Sequence, residues 1–408
     1  MKKVWDKWTR IALVKRILVG LILGAILGIA VPQATGIAIL GDVFVSALKA
    51  IAPLLVFFLV ISSLCNAGKS HGGVIKTVII LYMFSTVLAA VIAVFASMAF
   101  PVKMTLANAA TDTSAPQGIV EVLNNLLLNV VANPGSSLVN ANYVGILMWA
   151  VLLGLAFRAA DKMTKKVLAD VADGISMVVT WIINLAPFGI FGLVFNTVST
   201  NGLDIFTTYG KLLLLLVGCM LFIYFVTNPL LVYWCIRQNP YPLIFQCLKR
   251  SALTAFFTRS SAANIPVNMK VCEEMGLDRD TYSVTIPLGA TINMDGAAIT
   301  ITVMTMATAF TLGIHVDIPT AIILSLLAAL SACGASGVAG GSLLLIPMAC
   351  SLFGISDDIS MQVVAVGFII GVVQDSVETA LNSSSDLLLS ASAEFRQWRL
   401  EGKEIKFK

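Results

Sequence analysis

The chain has 408 residues, of which 58% are hydrophobic and only 12% are charged. Soluble domains carry about 25% charged residues, so the composition excludes an ordinary soluble protein and predicts an all-α polytopic membrane protein. A membrane β-barrel would alternate apolar and polar residues over segments of about ten residues, whereas these apolar runs are continuous and longer. The net charge is +4, but the basic residues are dispersed at the ends of apolar segments, which argues against a nucleic-acid partner.

A transmembrane helix needs about 20 predominantly apolar residues. Eight segments meet this requirement, at about 12–32, 38–66, 74–100, 120–157, 166–198, 208–236, 282–312 and 358–392. We number them spans 1 to 8. Span 1 is long for the apolar part of a signal peptide, so we expect it to be retained. Asn133-Pro134-Gly135 predicts that span 4 is broken.

The basic residues favour one side of the membrane. They occupy alternate connections and both termini: Lys2, Lys3, Lys7, Arg10, Lys15, Arg16, Lys69, Lys76, Arg158, Lys162, Lys165, Lys166, Arg237, Lys249, Arg250, Arg396, Arg399, Lys403, Lys406 and Lys408. The intervening connections, 33–37, 101–119, 199–207 and 313–318, contain only Lys103. By the positive-inside rule both termini are expected in the cytoplasm.

Two further apolar regions, 241–270 and 319–353, do not read as simple spans. In the second, two short arms flank the small residues from Cys333 to Ser342, whose glycines would interrupt a helix. We predict two re-entrant helical hairpins, hairpin 1 at about 241–270 and hairpin 2 at about 319–353. Each is followed by a span with polar residues, and together they form an inverted repeat. Interrupted segments in matching positions of two halves are typical of transporters. A channel with pore loops is the alternative.

Span 8 carries ionisable residues in an apolar setting. Asp375, Thr379, Asn382 and Asp386 are spaced 4, 3 and 4 residues apart, which places them on one helical stripe, with Glu378 at its edge. Three carboxylates on one dry face cannot all stay ionised without cations. A solvated amphipathic face is the alternative.

Span 7 and hairpin 1 supply the other polar groups. If the helix unwinds at Asn293-Met294-Asp295-Gly296, freed carbonyls and both polar side chains could converge on ions; a buried aspartate bonded to a neighbouring helix is the alternative. At the tip of hairpin 1, Thr258-Arg259-Ser260-Ser261 offers hydroxyls and a helix N-terminus suited to a carboxylate. Arg259 could pair with Asp375 or Glu378.

Enzymatic chemistry is not indicated. The seven cysteines form no CxxC pair and the two histidines, His71 and His315, both fall in connections, so neither a metal cluster nor a disulfide framework is predicted. The chain lacks the G-x-S-x-G motif of serine hydrolases. We expect no organic cofactor.

Four stretches carry a family resemblance across essentially the whole chain: TRSSAANIPV at 258–267, LGATINMDG at 288–296, SGVAGG at 336–341 and DSVETALNSSSD at 375–386. With them the chain resembles the sodium-coupled dicarboxylate, glutamate and neutral amino acid transporters, most of all the bacterial serine/threonine:sodium symporters. The resemblance implies a homotrimer in the bacterial inner membrane whose transport domain moves like an elevator against a fixed scaffold. It places scaffold spans 1 and 2 in 1–73, span 3 and an external loop in 74–119, scaffold spans 4 and 5 in 120–200, and the transport core with a cytoplasmic tail in 201–408.

The resemblance also implies three sodium sites. The first comprises Gly289, Asn293, Asn382 and Asp386; the second Tyr82, Ser85, Thr86, Asn293 and Asp295; the third Thr291, Ala332, Cys333 and Ala335. It implies a substrate site formed by Ser260, Ser261, Val338, Gly340, Asp375, Glu378, Thr379 and Asn382. Within that site Asp375 is expected to bind the α-ammonium group of an amino acid.

Two positions depart from the family pattern: Ala339 stands where many relatives have proline, and Glu378 bears on the substrate. Relatives that carry acidic substrates have an arginine where this chain has Glu378, and a carboxylate there repels an acidic side chain. The expected function is therefore sodium-coupled uptake of serine and threonine. Proton- or sodium-coupled uptake of acidic amino acids or C4-dicarboxylates is the alternative.

Overall fold

A computed structural model describes residues 11, 13–66, 73–106, 128, 131–202, 205–333, 335 and 340–405. Within these ranges the secondary structure is helical and no strand occurs. The predicted all-α class is therefore confirmed.

The described residues of the first half of the chain form seven α-helices. They are α1 (Leu13–Ala30), α2 (Ile39–Asn66), α3 (Gly73–Ala99), α4 (Pro134–Val139), α5 (Tyr143–Ala156), α6 (Lys162–Asn184) and α7 (Ala186–Asn201), with short 3₁₀ turns at Thr35–Ala38 and Phe157–Ala159. The helices α1, α2 and α3 correspond to predicted spans 1, 2 and 3, and their ends agree to within two residues.

The second half is divided into shorter helices up to the last one, α17, which is long. These are α8 (Ile205–Phe222), α9 (Asn228–Ile236), α10 (Tyr241–Cys247), α11 (Leu253–Thr258), α12 (Ser261–Glu274), α13 (Arg279–Ile292), α14 (Asp295–Thr311), α15 (Ile318–Ala332), α16 (Ile346–Ser351) and α17 (Asp357–Leu400). Single π-helical turns, Ile223–Thr227 and Leu248–Ala252, join α8 to α9 and α10 to α11, and a 3₁₀ turn, Ser342–Leu345, precedes α16. Two interruptions fall where hairpins were predicted, at Arg259-Ser260 between α11 and α12 and between α15 and the 3₁₀ turn.

Two predicted spans differ in extent from the observed helices. Predicted span 5, at about 166–198, contains a break: Leu185 separates α6 from α7, because Pro187 lacks the N–H group and its ring disfavours a continuous helix. Span 8 was expected to end at residue 392, but α17 continues to Leu400. Span 4 is broken as expected: the Asn133 side chain accepts a hydrogen bond from the Ser136 N–H and caps α4.

Six helical segments of the described chain are long and apolar enough to cross a membrane. They are Thr35–Asn66, Gly73–Ala99, Lys162–Asn184, Thr207–Ile236, Arg279–Thr311 and Asp357–Leu400. These segments indicate a multi-pass membrane protein. The count of eight spans stays a prediction.

The helices pack in two groups. In one, α1, α2, α5, α6 and α7 lie mainly against each other; in the other, α3, α8, α9 and the helices from α10 to α16 surround α17. Most of α17 between Ile359 and Phe395 is buried. Between the groups, Lys49 on α2 forms ion pairs with Asp357 at 3.1 Å and Asp358 at 2.7 Å.

The contact between α1 and α7 depends on small residues. A Cβ atom added to Gly20 would clash with the Pro187 carbonyl oxygen, and one added to Gly24 would lie 2.6 Å from the Phe191 carbonyl oxygen. The backbones can approach this closely only because neither position has a side chain, as in other membrane helix pairs.

Replacing Gly24 with alanine should therefore separate α1 from α7. Overpacking of this kind costs about 1–3 kcal/mol, so we expect a lower Tm for the G24A variant in detergent. Gly174→Ala, on α6, is the matched control, because nothing lies within 4 Å of its added Cβ atom. An equal Tm for G24A and the wild type would contradict the close contact.

Candidate cation and substrate site

The site begins at a helix break in predicted span 7. Between α13 and α14, Asn293 and Met294 leave the helical conformation, so both helices end beside buried polar groups. This is the unwinding expected from Asn293-Met294-Asp295-Gly296. Asp295 begins α14 and is completely buried, which places a carboxylate at the positive end of a helix.

Asn293 and Asp386 form the first cluster. Asn293 Nδ2 donates hydrogen bonds to Asp386 Oδ1 at 2.9 Å and to Ser385 Oγ at 2.7 Å. Among the described residues, Asn293 Oδ1 and Asp386 Oδ2 have no hydrogen-bond partner, although both are buried. Buried polar atoms are nearly always satisfied, so the acceptor oxygens left over on these two hydrogen-bonded side chains fit cation ligands.

Gly289 lines the same cluster. A Cβ atom added to it would lie 2.8 Å from Asp386 Oδ1 and 2.9 Å from the Tyr82 hydroxyl. The Tyr82 hydroxyl donates to the Asp386 carbonyl oxygen at 2.9 Å. The glycine therefore leaves room on the Asp386 side that any other residue would fill.

Asp295 forms the second cluster. Ser85 Oγ donates to Asp295 Oδ2 at 2.8 Å and Thr86 Oγ1 donates to Asp295 Oδ1 at 3.2 Å. The Met294 N–H in turn donates to Thr86 Oγ1 at 3.2 Å. Of the predicted second set, Ser85 and Thr86 are thus hydrogen-bonded to Asp295. The Tyr82 hydroxyl, one turn earlier on α3, donates to the Asp386 carbonyl oxygen, and Asn293 donates to the Asp386 side chain. The assignment of Tyr82 and Asn293 to this set stays a prediction.

Asn382 connects the two clusters. Its Oδ1 accepts a hydrogen bond from the Gly296 N–H at 2.7 Å, and its carbonyl oxygen accepts from Asn293 Nδ2 at 3.4 Å. The stripe predicted on α17 therefore faces the break between α13 and α14. The polar groups of both clusters and the middle of α17 are held in one hydrogen-bonded unit.

The tip of hairpin 1 is tied to α17 by a buried ion pair. Arg259 Nε donates to Asp375 Oδ2 at 2.6 Å, which decides between the two partners that the sequence left open. Arg259 adopts a left-handed backbone conformation, with φ of 53°, an uncommon one for a non-glycine residue. Asp375 Oδ1 also accepts from the Gly340 N–H of hairpin 2 at 3.2 Å, so both hairpins meet at this carboxylate.

Glu378 faces a different set of groups. Its Oε2 accepts hydrogen bonds from Thr300 Oγ1 at 2.7 Å, Ser342 Oγ at 2.9 Å and Gln374 Nε2 at 2.5 Å. These residues belong to α14, hairpin 2 and α17. The carboxylate is thus held among neutral donors rather than by Arg259.

The remaining predicted substrate residues lie near these groups or outside the description. The Ser260 side chain accepts from the Ala263 N–H and caps α12, Ser261 is the first residue of α12, and Ser261 and Thr379 are both buried. Val338 lies outside the described residues.

The predicted third sodium set lies where α13 meets hairpin 2. The Cys333 Sγ is 3.6 Å from the Ile292 carbonyl oxygen, and the Thr291 hydroxyl donates to the Leu288 carbonyl oxygen at 2.7 Å. Ala332 and Ala335 are buried on the same hairpin. The contact of Cys333 with Ile292 places this hairpin arm beside Thr291.

A family profile described as the sodium:dicarboxylate symporter family matches residues 13–394. The chain belongs to the sodium:dicarboxylate symporter family. This membership confirms that the protein is a membrane transporter rather than an enzyme, and sodium is consistent with the oxygen-only donor sets of the two clusters.

Similar proteins are found in bacteria. The chain is 57% identical over 406 residues to "Serine/threonine transporter SstT" of Bifidobacterium adolescentis, covering 99% of this chain and 94% of that protein. Proteins of the same name from two Streptococcus thermophilus strains are 55% and 56% identical over 400 residues, covering 98% of this chain and all of theirs.

The sequence did not reveal a buried polar network behind hairpin 1 of this symporter. Asn264 Nδ2 donates to Ser251 Oγ at 3.0 Å and to Ser383 Oγ at 2.8 Å, and Asn268 Nδ2 donates to the Ser383 carbonyl oxygen at 2.8 Å. Asn264 and Asn268 are one helical turn apart, a spacing that could have indicated a shared face. The network fixes hairpin 1 to α17 at Ser383, the residue after Asn382.

The space beside Gly289 gives a direct test of the first cluster. Gly289→Ala should raise the Na⁺ concentration needed for transport and for thermal stabilisation, because its methyl group would compete with a cation for the space beside Asp386. Half-saturating Na⁺ would be measured from the rise in Tm, with choline as the replacement cation. Gly218→Ala on α8 is the control, since nothing lies within 4 Å of its added Cβ atom. Equal Na⁺ requirements in both variants would contradict a cation at Asp386.

Proposed function

We propose that the protein is a secondary active symporter that uses the sodium gradient to carry L-serine and L-threonine into the cell. The names of the relatives support the substrates, and the description of the family supports the coupling ion. The observation that carries the coupling is the pair of buried oxygens without hydrogen-bond partners, Asn293 Oδ1 and Asp386 Oδ2. Each Na⁺ that crosses about 100 mV contributes roughly 2.3 kcal/mol before its concentration gradient is counted.

Three sodium sites are proposed. Asp386 and backbone oxygens of Gly289, Asn293 and Asn382 bind the first ion. Asp295, the Asn293 side chain, Ser85, Thr86 and the backbone of Tyr82 bind the second. Thr291 and carbonyl groups of Ala332, Cys333 and Ala335 bind the third, between α13 and hairpin 2. Carboxylate and carbonyl oxygens are the ligands that hard cations prefer.

The amino acid is proposed to bind between the two hairpins. The N-terminus of α12, with Ser260 and Ser261, suits its carboxylate because the N–H groups there have no partner within the helix. Asp375 binds its ammonium group, since a carboxylate has about four lone-pair positions and Arg259 and Gly340 occupy two. Asn382, Thr379, Gly340 and Val338 complete this site.

Specificity for a neutral side chain follows from the charges at the site. Arg259 is paired with Asp375 at 2.6 Å, so most of its charge is already compensated within the site. Glu378 adds a second acidic group and no basic one. An acidic side chain would therefore be buried without an uncompensated basic partner, a cost that a hydroxyl group does not carry.

The proposed architecture has eight spans and two re-entrant hairpins in an inverted repeat, with both termini in the cytoplasm and the protein in the inner membrane. Spans 1, 2, 4 and 5, in 1–73 and 120–200, form the scaffold of a homotrimer. Span 3, in 74–119, and residues 201–408 form a transport domain that moves as an elevator. The two packing groups of helices support this division, since α17 and both hairpins belong to the same group.

The transport activity is tested with radiolabelled L-serine and the protein in proteoliposomes. An inward Na⁺ gradient should drive accumulation that a K⁺ gradient does not, and unlabelled threonine should compete while aspartate should not. Competition by aspartate would overturn the proposed specificity. Uptake that needs no sodium but responds to low external pH would favour proton coupling.

Asp386→Asn should raise the sodium requirement of serine uptake sharply. Loss of an interaction with a charged group of about 1.5–3 kcal/mol corresponds to at least about tenfold in binding. Asp161→Asn is the control, because Asp161 is an exposed helix cap and asparagine caps equally well. The proposal fails at this site if D386N shows the sodium dependence of the wild type.

A further inference from the structure

Asn228 lies beside the second cation cluster but belongs to none of the predicted sets. It is completely buried at the start of α9, and its Oδ1 is 3.5 Å from Ser85 Oγ. Its Nδ2 has no hydrogen-bond partner among the described residues. A buried amide nitrogen without a hydrogen-bond partner is rare in proteins and calls for an explanation.

The backbone conformation before Asn228 turns its side chain toward Ser85. The π-helical turn Ile223–Thr227 immediately precedes it, and one residue inserted into a helix rotates the following residues by about 100°. Pro229 cannot donate to the Phe225 carbonyl oxygen, which instead accepts from the Tyr241 hydroxyl at 3.3 Å. The distortion is therefore stabilised by its own contacts, and π-bulges of this kind frequently occur at functional sites.

The Ser85 hydroxyl has one proton and two neighbouring acceptors. The hydroxyl donates this proton to Asp295 Oδ2 at 2.8 Å. Asn228 Oδ1, at 3.5 Å from the hydroxyl oxygen, is the second acceptor within reach. A cation bound to Asp295 and Ser85 must face the lone pairs of the hydroxyl, not its proton. The proton then has to turn away from Asp295.

We propose that Asn228 is a positioning residue of the Asp295 cation site. When Na⁺ binds, the Ser85 hydroxyl rotates and donates its proton to Asn228 Oδ1, so that the serine oxygen faces the ion. Asn228 does not touch the ion in this scheme; it acts through Ser85. The inference rests on the proposed sodium coupling and assigns span 6 a part in it.

The test measures Na⁺ binding without substrate, as the rise in Tm of the purified protein with increasing Na⁺ and choline as the replacement. Asn228→Ala should raise the half-saturating Na⁺ concentration about fivefold, the size expected for one hydrogen bond. Thr227→Ala, at the neighbouring buried position in the π-helical turn, should leave it unchanged. Asn228→Leu keeps nearly the same volume without an acceptor and serves if N228A does not fold.

A double-mutant cycle separates positioning from a merely structural role. If Asn228 acts through the Ser85 hydroxyl, adding N228A to Ser85→Ala should not raise the sodium requirement further. The inference is overturned if N228A binds Na⁺ like the wild type, or if N228A has the same effect with and without Ser85. A wild-type protein whose Tm does not respond to Na⁺ would instead overturn the proposed sodium coupling itself.

Discussion

The burial of Asp295 and Asp386 is the constraint on which the rest of the structure depends. Both carboxylates are at most 1% exposed, and their hydrogen bonds are to neutral donors. An ion taken out of water costs several kcal/mol even after the protein relaxes, so neither group can stay ionised there without compensation. The break between α13 and α14, the absence of a side chain at Gly289 and the hydroxyl groups of α3 all supply oxygen atoms or space around these two carboxylates.

That constraint explains why so many elements converge on α17. Asn382 binds the first turn of α14 through its side chain and Asn293 through its backbone, while Asp375, two turns earlier, meets both hairpins. The groups that contact both clusters and the groups that hold the hairpins therefore lie on one continuous helix. Coupling between cation and amino acid needs such a shared element, because a ligand can shift an equilibrium only through differential contacts.

The sequence was informative wherever a pattern is local. The 4-3-4 spacing on span 8 located the stripe of α17, and Asn293-Met294-Asp295-Gly296 located the helix break, because both depend on neighbouring residues. Pairings across the chain were not determined in this way. Asp375 and Glu378 lie three residues apart, so helical spacing could not decide which one meets Arg259, 116 residues earlier than Asp375.

Other features were missed because they depend on packing. Tyr82 and Ser85 are one turn apart on α3, yet the Tyr82 hydroxyl donates to the backbone carbonyl of Asp386 and the Ser85 hydroxyl donates to the carboxylate of Asp295. The position of Asn228 depends on a π-helical turn, and no residue type in Ile223–Thr227 indicates one. An uninterrupted α-helix would turn Asn228 away from Ser85 by about 100°, leaving an amide among apolar side chains. The π-helical turn in span 6 and the helix break in span 7 therefore have the same effect. Each departs locally from a regular helix and turns a polar group toward the surroundings of a buried carboxylate.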